Sequence, residues 1–121
     1  MGGHPISVAY PYEMPIYQRE GRRKNTYDGI IMDPPVYGHG PTGKTWDISK
    51  NLPELLSACK EILVASPTFI LINAYAVSFS AITLQNLLED LKLPGKITCG
   101  ELALKQKSGR VLSTGLFARL S

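Results

Sequence analysis

Cysteine and tryptophan are both scarce: two cysteines, Cys59 and Cys99, and one tryptophan in 121 residues. The cysteines form no CxxC pair and have no neighbouring histidine, so neither a zinc motif nor a disulfide framework is indicated, and two buried thiols are the plain reading. Long hydrophobic runs are missing as well. The longest, around Phe69 to Val77, is broken by Asn73 and is too short to span a bilayer. The N-terminus lacks the charged-then-apolar pattern of a secretory signal, which makes the cytoplasm the default location. A strong excess of one charge is also absent, with a formal net charge of +3. The basic residues gather at Arg19, Arg22, Arg23 and Lys24, which reads either as a solvated helix face or as a contact for RNA phosphates. No repeat or low-complexity tract interrupts the chain. What remains, 44% hydrophobic and 19% charged residues, is the composition of one globular domain.

The stretch from Tyr27 to Tyr37 organises that domain. The apolar run Gly29-Ile30-Ile31-Met32 meets a carboxylate at Asp33 and then Pro34 and Pro35, which cannot donate ladder hydrogen bonds and so end a strand predicted over Asp28 to Met32. Asp33 is thereby placed at a strand's carboxyl end, the edge where open α/β sheets bind ligands.

Before this strand, residues 1–12 read as a leader or an extra strand around Ile6-Ser7-Val8-Ala9-Tyr10, and Glu13 to Lys24 as a short helix. After it, residues 33–51 form a loop rich in Gly and Pro, too long for an ordinary connection. A helix comes next, through Leu52, Leu55, Leu56, Cys59, Ile62 and Leu63, with Asn51 as cap and Pro53 in the first turn. Thr68 to Ile72 is apolar without alternation, the pattern of a central parallel strand buried on both faces. Ser80 caps a second helix whose Ile82, Leu84, Leu87, Leu88 and Leu91 face inward, stopped at Pro94-Gly95. Lys96 to Leu104 and Val111 to Leu120 flank the turn signal Lys107-Ser108-Gly109-Arg110, predicting an antiparallel hairpin. The expected architecture is a mostly parallel α/β sheet with an antiparallel ending and right-handed crossovers.

Two candidate sites emerge. Gly38-His39-Gly40-Pro41-Thr42-Gly43-Lys44-Thr45 matches the phosphate-loop pattern and would mark a nucleotide binder. Its context argues otherwise: Pro34 and Pro35 separate it from the strand, Pro53 would fall inside a helix begun at Lys44, and the next strand ends in Asn73 rather than a carboxylate. The other candidate is Asp33-Pro34-Pro35 with Tyr37. The carboxylate could accept hydrogen bonds from an amino group on a base or a cofactor, with Tyr37 held over a ring. Equally, it could cap a turn on which Tyr37 packs.

Tyr27-Asp28-Gly29-Ile30-Ile31-Met32-Asp33-Pro34-Pro35, Tyr37-Gly38, Gly40-Pro41, Gly43 and Trp46 resemble the class I S-adenosylmethionine-dependent methyltransferases related to the large-subunit ribosomal RNA enzymes. The similarity continues through Leu52-Pro53-Leu55-Leu56, Asn73-Ala74-Tyr75, Gly109-Arg110-Val111-Leu112 and Gly115-Leu116-Phe117-Ala118, and so covers residues 13–121 as a single domain. The resemblance implies a Rossmann-like sheet whose fourth strand ends in Asp33-Pro34-Pro35. It places Asp33, Pro34, Pro35 and Tyr37 on the catalytic loop, with Asp33 and Pro34 beside the S-adenosylmethionine cofactor. Val36 departs from the family, where lysine is common.

The family's glycine-rich loop and ribose-binding acid would lie upstream of Glu13, where Gly2 and Gly3 have no preceding strand. The resemblance therefore matches the C-terminal half and implies a sheet incomplete for cofactor binding on its own. The Asp33 strand would become an open edge and a template for a homodimer, unless Ile6 to Tyr10 covers it in the same molecule or by exchange. A dimerising, non-catalytic remnant is the competing reading. Neither cysteine falls in a motif for attack on a pyrimidine ring.

Overall fold

The computed structural model describes residues 5–8, 22–39, 43 and 45–121. The helix expected over Glu13 to Lys24 lies almost wholly outside the described residues, as do Arg19, Gly2 and Gly3. Seven strands and two helices are described: β1 (Pro5–Val8), β2 (Gly29–Met32), β3 (Tyr37–His39), β4 (Thr45–Asp47), α1 (Ile48–Glu61), β5 (Phe69–Ala74), α2 (Ala81–Asp90), β6 (Ile97–Lys105) and β7 (Val111–Leu120).

The main sheet has the order β1-β2-β5-β7-β6. The first three strands are parallel and the last two antiparallel to their neighbours. This is the mostly parallel sheet with an antiparallel ending that the pattern of apolar runs predicts. Within the terminal hairpin the second strand, β7, lies inside and β6 outside.

Register explains where the core sits. Ile30 is paired with Ile70 and Ile70 with Leu120; Met32 is paired with Ile72 and Ile72 with Ala118. Paired residues share a face, and all six are buried. They join Leu52, Leu55, Leu56 and Cys59 of α1 and Leu84 and Leu88 of α2 in one cluster. Phe69, Leu71 and Asn73, on the opposite face of β5, are only half-buried. The central strand is thus fully covered on one face rather than both. The Phe69 ring packs over Gly29, where a Cβ would lie 2.5 Å from it, so any larger residue there must displace the ring.

Of the alternatives for the Asp33 strand, the structure selects cover within the same molecule: β1 pairs in parallel with β2, so that strand is not an open edge and offers no template for a homodimer there. Three sequence expectations are corrected. The expected loop 33–51 contains a small hairpin, β3 paired antiparallel with β4. Helix α1 starts earlier than predicted, because Asp47 and not Asn51 is its N-cap: the Asp47 carboxylate accepts from the Ser49 amide at 2.9 Å. Asn51 instead reaches back to accept from the Asp47 amide at 2.9 Å, and Pro53 falls inside the helix. Finally, Ile82 is 62% exposed. Ser80 does occupy the N-cap position of α2, without a side-chain cap bond.

Candidate functional site at the carboxyl edge of the sheet

Because β1, β2 and β5 run parallel, their carboxyl ends share one edge of the sheet. Met32 lies beside Ile72, so the turn beginning at Asp33 emerges next to Asn73, Ala74 and Tyr75. Asp33 is exposed, Pro34 is buried, and Pro35 and Val36 are half-buried. The Asp33 carboxylate has no hydrogen-bond or ion-pair partner among the described residues.

The backbone of this turn is held by β4 and the start of α1. The Trp46 indole Nε1–H donates to the Pro35 carbonyl at 2.6 Å, and the Ile48 amide donates to the Val36 carbonyl at 3.0 Å. Both donors sit on buried residues, 4% exposed at Trp46 and 1% at Ile48. The β3–β4 register sets Trp46 opposite Gly38. Ile48 is the first residue of α1, whose leading amides have no intrahelical acceptor, and Val36 supplies one. The turn is therefore fixed by a strand and a helix start that the same sequence folds beside it.

Tyr37 opens β3 and is 59% exposed. Its ring meets His39 edge-on, with centroids 5.4 Å apart and planes at 86°. The structure thus brings together an exposed carboxylate, a proline-stiffened backbone and an accessible aromatic ring. This set can accept hydrogen bonds from an amino group and offer a ring face to a planar ligand. Trp46, which the sequence left without a role, is the side chain that holds this turn.

A shallow cleft of about 380 Å³ lies on the other side of β5, lined by residues that include Tyr75, Ala76, Phe79, Glu101, Thr114 and Gly115. Asp33 and Tyr37 are not among them. Ala76 adopts a left-handed φ of 54° in this cleft. At Gly115 a Cβ would sit 2.8 Å from the Ala74 carbonyl oxygen, so only glycine lets β7 pass the end of β5.

The phosphate-loop match does not have a phosphate loop's setting. Gly38 and His39 belong to β3 and Thr45 to β4, with His39 paired to Thr45. No helix starts at Thr45; α1 starts at Ile48. Gly40, Pro41, Thr42 and Lys44 lie outside the described residues. Of the basic cluster, Arg22, Arg23 and Lys24 are exposed. Cys59 is buried in the core, and desolvation pushes its thiol up to about 12. Among the described residues no group of His, Cys, Asp and Glu could hold a metal ion. No helix among them is long and apolar enough to cross a membrane.

The chain has the Rossmann-like α/β fold of methyltransferases. Among solved structures it is similar to a SAM-dependent methyltransferase from Agrobacterium tumefaciens, with a TM-score of 0.80 and 35% identity over 89% of this chain and 37% of that one. More distant likenesses show the fold alone. One, SMU.776, assigned as a methyltransferase and solved with SAH, has a TM-score of 0.61 at 20% identity, covering 88% of this chain and 29% of its own. Another, assigned as a SAM-dependent methyltransferase from Streptococcus mutans, has a TM-score of 0.56 at 18% identity, covering 88% of this chain and 28% of its own. The chain spans about a third of the length of each. No family model matches it, and no curated protein does.

Proposed function

We propose that this chain carries the acceptor-facing part of an S-adenosylmethionine-dependent methyltransferase whose ancestral substrate is a base of ribosomal RNA. The observation that carries the reading is the turn Asp33-Pro34-Pro35, held at the sheet's carboxyl edge by Trp46 and Ile48, with the exposed Asp33 carboxylate unpartnered among the described residues. S-adenosylmethionine, when bound, would supply an electrophilic methyl group there. Asp33 would accept a hydrogen bond from an amino group of the base or the cofactor, and Pro34 would line the cofactor side. Pro34 and Pro35 would fix the carboxylate's direction, and Tyr37 would stack on the acceptor ring. The exposed Arg22, Arg23 and Lys24 would meet RNA phosphates. A cytoplasmic location goes with this role.

The fit to the cofactor is partial. A free carboxylate suits an amino group, but no described strand runs through a glycine-rich turn into a helix, the arrangement that would carry most of the donor's binding. On this reading the described residues orient the acceptor and bind the donor weakly. The competing reading is a non-catalytic module that keeps the stable sheet.

Calorimetric titration with S-adenosylhomocysteine and, separately, with ATP tests these readings. Binding of the first that is lost in Asp33→Ala supports the methyltransferase reading. Binding of ATP alone revives the phosphate loop. No heat with either ligand favours the non-catalytic module and overturns the proposal for this chain.

A further inference from the structure

Strand β6 is outermost in the sheet order, and its outer half, Glu101 to Lys105, is exposed throughout. The hairpin outruns the sheet here, because β7 pairs with β5 only from Leu116 onward. Hydrogen bonding settles which way the strand's backbone points. Lys96 and Ser121 exchange both amide bonds, at 2.7 and 2.9 Å, and the Gln106 amide donates to Arg110 at 2.8 Å. Alternation between these anchors aims the even-numbered residues at β7, and the Leu102 carbonyl, which accepts from Thr114 Oγ1 at 3.2 Å, obeys the same count. The amides and carbonyls of Glu101, Ala103 and Lys105 therefore point away from the sheet. Natural edges are blunted by charge, bulges, proline or short length. This edge has Glu101 and Lys105, and the register shifts between Leu102 and Ala103, with the extra residue, Thr114, on β7 so that the count along β6 is unbroken. It is nonetheless long and carries Leu102 and Leu104, 39% and 62% exposed, beside Leu112 at 57%. Leu104 is paired with Leu112, so the three leucines share a face.

We propose that β6 pairs antiparallel with β6 of a second copy across a two-fold axis at Ala103. In that register Glu101 lies opposite Lys105 of the second copy, Ala103 opposite itself, and Leu102 opposite Leu104. The outward-pointing residues fall opposite one another, as mutual backbone hydrogen bonding demands. The leucines then occupy the non-hydrogen-bonded sites, where opposite Cα atoms approach to about 4.5 Å and side chains meet. Moving the axis to Leu102 or to Leu104 sets Lys105 opposite Cys99 or Ala103 and loses its match with Glu101. Charge, backbone direction and apolar exposure thus select one register and one occupant, another copy of this chain. The interface differs from the edge expected at the Asp33 strand, which β1 covers, and it holds whether or not the chain transfers methyl groups.

Sedimentation velocity over a wide concentration range reads the association directly. The wild type is expected to move from monomer to dimer with concentration. Lys105→Glu sets like charges opposite each other twice per dimer and should weaken association by on the order of tenfold. Glu101→Lys should do the same, and the double variant Glu101→Lys/Lys105→Glu should recover wild-type association, because the exchange restores both pairs. Circular dichroism confirms that each exposed substitution leaves the fold intact. A monomer at every concentration overturns the proposal, as does a dimer indifferent to Lys105→Glu or a double variant no tighter than the singles.

Discussion

Trp46→Phe is the most direct probe of the clamp on the Asp33 turn. The indole donates at 2.6 Å to the Pro35 carbonyl, while its rings are 4% exposed. Phenylalanine keeps most of the apolar bulk and removes the donor. A net hydrogen bond contributes about 1 kcal/mol, and an acceptor left unsatisfied costs about 1–3 kcal/mol when water cannot reach it. Pro35 is half-buried, so water can partly replace the indole and the cost falls toward the lower end. Adding roughly 1 kcal/mol for the smaller ring's poorer packing gives a loss of about 2 kcal/mol. Trp46→Ala removes the burial too and should cost about 3–5 kcal/mol. Urea denaturation is to be monitored by far-UV circular dichroism, since the substitution deletes the only tryptophan. In the wild type the fluorescence of that same residue reports the β3–β4 hairpin. The Ile48 amide, protected by Val36, should exchange faster in Trp46→Phe. If Trp46→Phe stays within about 0.5 kcal/mol of wild type, smaller than a net hydrogen bond, the indole does not hold the turn.

Other expectations rest on single contacts. Gly115→Ala must push a methyl against the Ala74 carbonyl, 2.8 Å from the ideal Cβ, and should destabilise the chain by about 1–3 kcal/mol; unchanged denaturation would show that β7 can move aside at no cost. The Thr98 hydroxyl is buried without a hydrogen-bond partner among the described residues, so Thr98→Val should raise stability by about 1 kcal/mol in the same assay, and a loss would mean that the hydroxyl is paired. Burial raises the Cys59 thiol from 9.0 to about 12, so the folded state keeps a proton that the unfolded chain gives up. Its contribution is complete well below pH 9.0 and is lost as pH rises toward 12, on the order of 1–2 kcal/mol by about pH 10. Cys59→Ala, less stable at neutral pH, should lack that portion of the alkaline decline, and parallel wild-type and variant curves would refute the assignment.

Where sequence and structure part, the reasons are physical. The terminal hairpin and the strands around Ile30 and Ile70 were legible because each is a local apolar run bounded by turn residues. Pairing is not local: Ile6 to Tyr10 was legible as a strand that could cover β2, but its residues do not say whether it does so in the same molecule, as β1 does, or by exchange, since parallel partners are joined by long crossovers. The β3–β4 hairpin escaped because its strands span only Tyr37–His39 and Thr45–Asp47, too short to show alternation among glycines. The cap was misplaced because Asn51 and Pro53 together mimic a helix start, whereas Asp47 holds the Ser49 amide and Asn51 serves it from behind. Ile82 was avoidable. At about 100° per residue it stands some 200° from Leu84, on the far side from the stripe that Leu84, Leu88 and Leu91 bury.

The Asp33 turn was legible as chemistry but not as mechanics. Asp-Pro-Pro at the end of an apolar run announces a carboxylate on a stiff backbone; the group that fixes that backbone lies later in the chain, in a tryptophan whose N–H needs an acceptor once its rings are buried. A lone tryptophan in a glycine-rich stretch was the available signal. Its consequence is a division of labour within a few residues. The carbonyls of Pro35 and Val36 are held from inside by Trp46 and Ile48, while the side chains of Asp33 and Tyr37 face solvent. A binding group gains most when its backbone is ordered before the ligand arrives, because the ordering entropy is then not charged to binding. By that argument Trp46→Phe should weaken any ligand held by Asp33 even though Trp46 never touches it, whereas Asp33→Ala should abolish binding and leave stability nearly unchanged.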